Sequence, residues 1–282
     1  MLPAGLIQLA FDPVLELEGF AIRWQTIGLS VALILAIGLA ALLVSRTPAT
    51  AYGGLAAGRL GLDELGYVVL AIVPGAVLGG RVVHGLAYWE FYAQDPARLL
   101  DPAAGSLSLL GAVVGGTLSG AYVASLMGGS VARWGELAAA PLLLALGLGK
   151  LAMVLGGSGQ GEPFDGPWAV AFVGPGPWHS LHPEVPAHPA QAYEGAWLLL
   201  GAALIGLLAY AKLFALGRAF LLALAWFLTG RLIVGYTWRD ERILGILNAE
   251  QLLALLALIL LTLAAVLRRP STAPERAALD SS

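Results

Sequence analysis

No cysteine occurs anywhere in the chain, and only 12% of its 282 residues are charged. The first absence removes a disulfide framework, a thiolate metal site and a cysteine nucleophile from consideration. The second sets the chain apart from soluble domains, in which about 25% of residues carry charge. A strong charge imbalance is missing too: a net charge of −3 leaves no electrostatic footprint for a nucleic-acid partner. The opening stretch MLPAGLIQLAFDPVLELEGF holds acidic residues but no basic n-region, so it does not read as a cleaved signal peptide. What is present instead is apolar: 59% of residues, with a mean hydropathy of +0.82. So much apolar surface has to face something other than water, and the chain reads as an integral membrane protein.

A helix needs about 20 mostly apolar residues to cross the bilayer core. Stretches 20–44, 65–89, 106–127, 137–156, 193–211, 219–237 and 249–267 qualify. The third is the least hydrophobic, but its Gly and Ser residues suit close helix packing. The expected fold is therefore an all-α polytopic membrane protein with seven transmembrane helices. It forms one domain over residues 1–268, followed by a disordered polar tail at 269–282. Lys and Arg in the short loops orient it. The odd connections and the tail hold Arg46, Arg59, Arg133, Lys212, Arg218, Arg268, Arg269 and Arg276, against Arg98, Arg239 and Arg242 on the other side. The N-terminus is expected outside and the C-terminus in the cytoplasm. Residues 151–211 contain no Lys or Arg, which suits an exported loop at about 157–188. That loop is too long for a simple turn and reads as a small periplasmic head between the fourth and fifth spans.

Four basic residues remain, within or at the edge of spans: Arg23, Arg81, Lys150 and Arg231. A charge at the bilayer centre costs at least about 2.5–3.5 kcal/mol, so an intramembrane cation points to function. With alternating orientation, Arg81, Lys150 and Arg231 fall at nearly one level, roughly 9–12 Å below the outer boundary at 1.5 Å per residue. Cations gathered at one depth need an anion among them, and a phospholipid phosphate is the anion found there. Independent snorkelling of each side chain towards the headgroups is the plainer alternative. His84 and Tyr88 continue the helix face of Arg81, and Glu250 and Gln251 open the seventh span from the same side. In HPAQAYE, Pro189 suits the first helical position, with His188 as the cap and Gln191 three residues on. A bare helix start with Tyr193 as an interfacial anchor would also account for this stretch. Trp168 and Trp178 read as interfacial anchors.

Several stretches resemble one family. AHPAQAYEG, the most specific, is similar to HPSQLYE; GGRVVHG to a second-span G-A-R-L segment; and FAIRWQTIGL to W-Y-G-L. GLGKLAMVLGGSGQGEPFDGPWAVAF resembles G-R-x-G-N-F-x-N-G-E-x-x-G followed by a PWAVVF-like strand. GRLIVGYTWRDE resembles FRxxVEFxR, and NAEQLLAL resembles M-G-Q-x-L-S. These are motifs of the prolipoprotein diacylglyceryl transferases, and the likeness spans about residues 20–267. It implies a multi-pass enzyme of the bacterial cytoplasmic (inner) membrane with no cofactor and no metal. Its partners would be phosphatidylglycerol, other membrane lipids and the signal peptide of a prolipoprotein, whose lipobox cysteine receives the diacylglyceryl group. The precursor would supply the thiol that this chain lacks.

Such chemistry needs a cationic clamp for a phosphate that gains charge as the C–O bond breaks. It also needs a proton acceptor for a thiol of pKa about 8.5, and a dry cavity that positions both substrates. The expected clamp is Arg231 with Lys150, assisted by Arg81, and with the family's third-span His absent the base is expected to be His188 or His84, giving a catalytic set of Lys150, Arg231 and His188. The substrate-binding set is Arg81, His84, Gln191, Tyr193, Glu194, Gly157, Gly161, Arg239, Glu250 and Gln251. Glycines 157, 159 and 161 would let backbone approach the headgroup. The chain departs from the family at several positions. Lys150 stands for Arg, Met153 and Gly156 for Asn, Ser158 for Glu, Gln25 for Tyr and Gly235 for Glu, and Leu110–Gly111–Ala112 replaces HGG. These changes leave open a divergent member that binds anionic phospholipid with lost or altered transferase activity. A transporter or channel is a third reading, since intramembrane cations also line anion paths, but the inner halves of the spans are almost purely apolar.

Overall fold

Seven helices long and apolar enough to cross a membrane run through the computed structural model. It describes residues 6–47, 61–101, 106–211, 213 and 217–267. The long helices are α1 (Trp24–Arg46), α2 (Leu62–Ala87), α4 (Leu109–Leu126), α5 (Val131–Val154), α6 (Ala190–Tyr210), α7 (Arg218–Val234) and α8 (Ala249–Leu267). A short α3 (Trp89–Ala93) follows α2. The boundaries lie close to those read from hydropathy, except that α5 starts at Val131 rather than near 137. The polar residues that hid this start are used inside the bundle: Arg133 is 2% exposed, and Glu136 Oε2 accepts the amide of Gly217 at 2.8 Å. Arg59, Lys212 and the tail 269–282 lie outside the described residues.

Two kinds of packing hold the spans together. Large side chains from α5, α6 and α7, with Ala254 of α8, build the core around Leu143, Leu198, Phe227 and Ala223. The α2–α4 pair uses small residues instead. A Cβ on Gly79 would lie 2.4 Å from the Gly111 carbonyl oxygen, and one on Gly111 would lie 2.3 Å from that of Gly79. The two backbones touch, as the glycine content of the third span suggested. Ser119 adds a hydrogen bond from its hydroxyl to Ala71 O at 2.8 Å.

The expectation of a purely helical fold is corrected at one end of the bundle. Strand β1 (Ile7–Leu9) pairs in parallel with β4 (Val170–Phe172). Strands β2 (Val14–Leu17) and β3 (Phe20–Arg23) form a hairpin that runs straight into α1. Strands β5 (Arg242–Leu244) and β6 (Leu247–Asn248) form a second, between α7 and α8. Strands of two to four residues are shorter than the period-two pattern that would reveal them. The head is thus the 155–189 connection together with residues 6–23, which places the N-terminal end of α1 on the head side of the bundle. The 235–248 connection is joined to it through the Gly161–Trp238 bridge. Gln160, 4% exposed, fastens the head from within: its Nε2 donates to Val170 O and Val185 O, and its Oε1 accepts from Ser180 Oγ.

Candidate functional site at the head end of the bundle

Lys150, four residues before the end of α5, and Arg231, three before the end of α7, arrive at the same level as Glu194 in the second turn of α6 and Glu250 at the start of α8. Glu194 joins the two cations. Its Oε2 lies 2.9 Å from Lys150 Nζ and 3.1 Å from Arg231 Nη1, which also reaches Oε1 at 3.2 Å. Arg231 Nη2 extends to Glu250 Oε2 at 3.1 Å, and Ser108 Oγ donates to Glu250 Oε1 at 2.5 Å. Glu194 is 1% exposed, Lys150 7% and Arg231 9%. The chamber expected for these two cations exists, but protein carboxylates supply its negative charge. A phosphate is not required to hold the cations together.

Trp238 roofs this network. Lys150 Nζ lies 4.4 Å from its ring centroid and the Arg231 guanidinium carbon 5.9 Å, a cation–π arrangement. Gly159 makes room for the indole: it sits at φ +71°, and a Cβ there would lie 2.4 Å from the ring. Gly157 gives way in the same manner to Trp178, and Gly161 to the Thr237 carbonyl and His188. These glycines therefore admit protein groups, where sequence reasoning had assigned them to a headgroup. Arg239 Nε donates to Gly161 O. In this part of the structure, among the described residues, three buried donors have no hydrogen-bond partner: Arg231 Nε, Trp238 Nε1 and Arg239 Nη2. A buried acceptor, Gln191 Oε1, is likewise unpartnered, on a residue 1% exposed. Buried polar groups are ordinarily hydrogen-bonded, so each of these unmet groups calls for an explanation.

The other residues expected in the site divide into neighbours and supports. Gln251 is structural: it exchanges capping bonds with Asn248, at 2.8 and 3.1 Å, and donates to Leu232 O at 2.9 Å, locking α8 to α7. Tyr193 OH accepts from Trp168 Nε1 at 2.6 Å and lies 3.3 Å from His188 Nδ1. His188 stacks on Phe164 at 3.9 Å, and burial holds its imidazole pKa below the usual value against the pull of Glu162. It is not the helix cap, since α6 begins at Ala190 and Pro189 occupies the cap position.

Arg81 is the main correction. Its guanidinium is spent on backbone carbonyls: Leu99 O at 2.8 Å, Ser106 O and Arg98 O at 3.2 Å, and Asp101 O. No carboxylate among the described residues bridges it to Lys150 and Arg231 as Glu194 does those two, so it shapes the segment after α3 and stands outside their network. His84 serves the same segment by accepting Ser106 N at 3.4 Å, and it packs on Tyr88 with centroids 4.6 Å apart. Arg23 bonds Pro177 O at 2.9 Å and ties the head to the start of α1.

Sequence reasoning missed Ser108, Trp238 and Asp240. Asp240 is exposed at the rim, yet the protein around it strips enough hydration to raise its carboxyl above the ordinary range; Arg231 opposes this and Glu250 adds to it. Its position directly after the sixth span was the available signal. Also missed was a cluster beside the first helix, where Ser158 Oγ lies 2.7 Å from Gln25 Oε1 and 2.9 Å from His179 Nδ1.

A family model described as prolipoprotein diacylglyceryl transferase matches residues 13–267. The chain is 26% identical over 264 residues to a phosphatidylglycerol–prolipoprotein diacylglyceryl transferase of Trichormus variabilis, covering 90% of this chain and 88% of that protein. It is 31% identical over 228 residues to the protein of the same name in Methylocella silvestris, covering 80% and 77%. The Geobacter sulfurreducens protein is 33% identical over a shorter 144 residues, 49% of this chain. A matched region that takes in all seven spans, the 155–189 connection and the buried Lys150–Glu194–Arg231 centre leaves one conclusion: the chain belongs to the prolipoprotein diacylglyceryl transferase family.

Proposed function

We propose that this membrane protein transfers the diacylglyceryl group of phosphatidylglycerol to the thiol of a lipobox cysteine in exported prolipoproteins. It works in the bacterial cytoplasmic membrane with its head on the outer side. The observation that carries the reading is the buried Lys150–Glu194–Arg231–Glu250 network with Arg231 Nε, Trp238 Nε1 and Arg239 Nη2 left without acceptors. Glu194 and Glu250 fix the cations before substrate arrives. A lipid phosphate then joins at the free donors and needs no rearrangement of the charges, which is the preorganised form of electrostatic catalysis. As the C–O bond to the leaving glycerol phosphate breaks, its growing charge meets Arg231 and Lys150. Lys150 acts as a point charge held over the Trp238 ring, where an arginine would have offered a planar fork.

A second feature suits a lipid substrate. An apolar groove of about 360 Å³ runs between α1, α2, α4 and α5, lined by Ala36, Ile72, Gly116, Trp134 and Leu146 among others. Leu146 is one turn below Lys150 on α5, so a headgroup at the cations leaves an acyl chain at the mouth of this groove.

The test is direct. Purified protein in phosphatidylglycerol vesicles with a lipobox peptide should add the mass of one diacylglyceryl group to the peptide cysteine. Lipid that co-purifies without any adduct forming would establish a binding protein that does not transfer.

A further inference from the structure

Three of the positions at which the chain departs from its family, 25, 156 and 158, are neighbours in space. Ser158 Oγ donates to Gln25 Oε1 at 2.7 Å, and His179 Nδ1 lies 2.9 Å from Ser158 Oγ and 3.3 Å from Gln25 Oε1. Gly156 is required by the same contact, because a Cβ there would lie 2.1 Å from Gln25 Oε1. His179 N donates to Gly156 O at 3.0 Å, which ties the histidine to the end of α5. Gln25 is the second residue of α1 and Gly156 the second after α5, so the cluster stands where two spans meet the head. His179 is exposed there.

Hydrogen bookkeeping fixes the ring. The Gln25 amide oxygen brings no hydrogen, so it receives the Ser158 hydroxyl proton. The two contacts at Nδ1 are then met only if Nδ1 carries the hydrogen and shares it between Ser158 Oγ and Gln25 Oε1. The Nε2 lone pair remains free on the far edge of the ring. The other two candidate bases have no such freedom. His84 already accepts Ser106 N through Nε2. His188 is held between its stack on Phe164 and the Tyr193 hydroxyl, which lies 3.3 Å from Nδ1.

We infer that His179 is the proton acceptor for the lipobox thiol, a catalytic residue of this chain, with Gln25 and Ser158 as its positioning residues. The inference rests on the transferase reading above. In an in-line displacement the thiol enters on the face of carbon opposite the leaving oxygen. Its base therefore stands away from the cations that hold the phosphate. Nε2 takes the thiol proton as Sγ bonds to the glyceryl carbon and the C–O bond to phosphate breaks. Glycerol phosphate departs with the bonding pair, and the imidazolium returns its proton to solvent. Burial lowers the His179 pKa and Arg23, the charged group facing it from the end of β3, lowers it further, so the ring is neutral and receptive at pH 7. The other groups facing it, Ser158 and Gln25, carry no charge.

The experiment follows adduct formation on a lipobox peptide by the full-length protein in phosphatidylglycerol vesicles from pH 6 to 9. The variants are His179→Gln, Ser158→Ala and, as a control, the exposed head residue His182→Gln. At pH 7, His179→Gln should be slower by about 10²-fold, the usual worth of a general base, and Ser158→Ala by a smaller factor. The deficit should close as pH approaches about 8.5, where the thiol ionises without help. His182→Gln should match the parent, and all variants should share its thermal unfolding profile. A His179→Gln deficit that is absent, or equally large at every pH, overturns the inference. If the parent protein itself forms no adduct, the transferase reading fails first and takes the inference with it.

Discussion

Arg81 and Arg231 carry the same sequence signal, an arginine within two turns of the head-side end of an apolar helix, and they are put to opposite uses. Arg231 meets two carboxylates, Glu194 and Glu250, and keeps Nε unpaired. Among the described residues, Arg81 spends its donors on the backbone carbonyls of Arg98, Leu99, Asp101 and Ser106. A guanidinium has five N–H donors in a fixed fork, and in a low-dielectric setting it must satisfy most of them. An arginine inside a span therefore reports a need for acceptors. Whether those acceptors are fixed backbone or ionised side chains decides between a structural staple and a reactive centre.

The sharpest way to break this contrast is to remove the carboxylate that the cations share. Glu194→Ala leaves Lys150 and Arg231 facing each other with one counter-charge between them. Breaking a buried pair in this manner costs about 3–5 kcal/mol. The variant should unfold at a markedly lower temperature in detergent and form no peptide adduct; parent-like unfolding would show that the network is not what holds α5, α6 and α7 in place here. Arg231→Lys comes next. It keeps the charge but cannot bridge Glu194 and Glu250 with one fork, and the adduct rate should fall by about 10²-fold, as for the loss of one preorganised donor. Arg81→Ala should separate the two roles. Losing hydrogen bonds from a charged donor costs about 1.5–3 kcal/mol, seen as faster proteolysis near residues 98–106, while co-purified phosphatidylglycerol stays at the parent level. If that lipid were lost as fully as in Arg231→Lys, Arg81 would belong to the clamp after all.

The smallest effect concerns pH. Burial lowers the His188 pKa from about 6.5, so the folded state favours the neutral ring stacked on Phe164. That contribution is complete above about pH 6.5 and is lost as pH falls through the lowered value. The parent should therefore lose slightly more thermal stability between pH 7 and 5 than His188→Gln does. Equal slopes would mean that the stack contributes nothing.

Much of this was legible in the residues. Apolar run lengths placed all seven spans, and the small residues of the third span announced close packing without saying that α2 would be its partner. Matching depth singled out Arg81, Lys150 and Arg231 alike, of which only the last two meet at one carboxylate. Glu194 was recognised only as a group that would orient the site, although it is the hub, because nothing local in HPAQAYE says which charge it meets. Gly157 and Gly161 misled for a related reason: close approach was expected, but the approaching group was a neighbouring protein segment. His179 gave no signal at all, since its partners Gln25 and Ser158 are 154 and 21 residues away along the chain.

By itself, the sequence showed that this is a multi-pass membrane protein, where its seven long apolar helices run, and that positive side chains stand near the ends of several of them. Those are consequences of solvent preference and helical rise, which act on each segment separately. Which cation finds a carboxylate, which is consumed by backbone, and which imidazole keeps a free lone pair were decided only when distant segments met. Hydrogen bonds and ion pairs act over about 3 Å, and chain order carries no information at that range until the fold is complete.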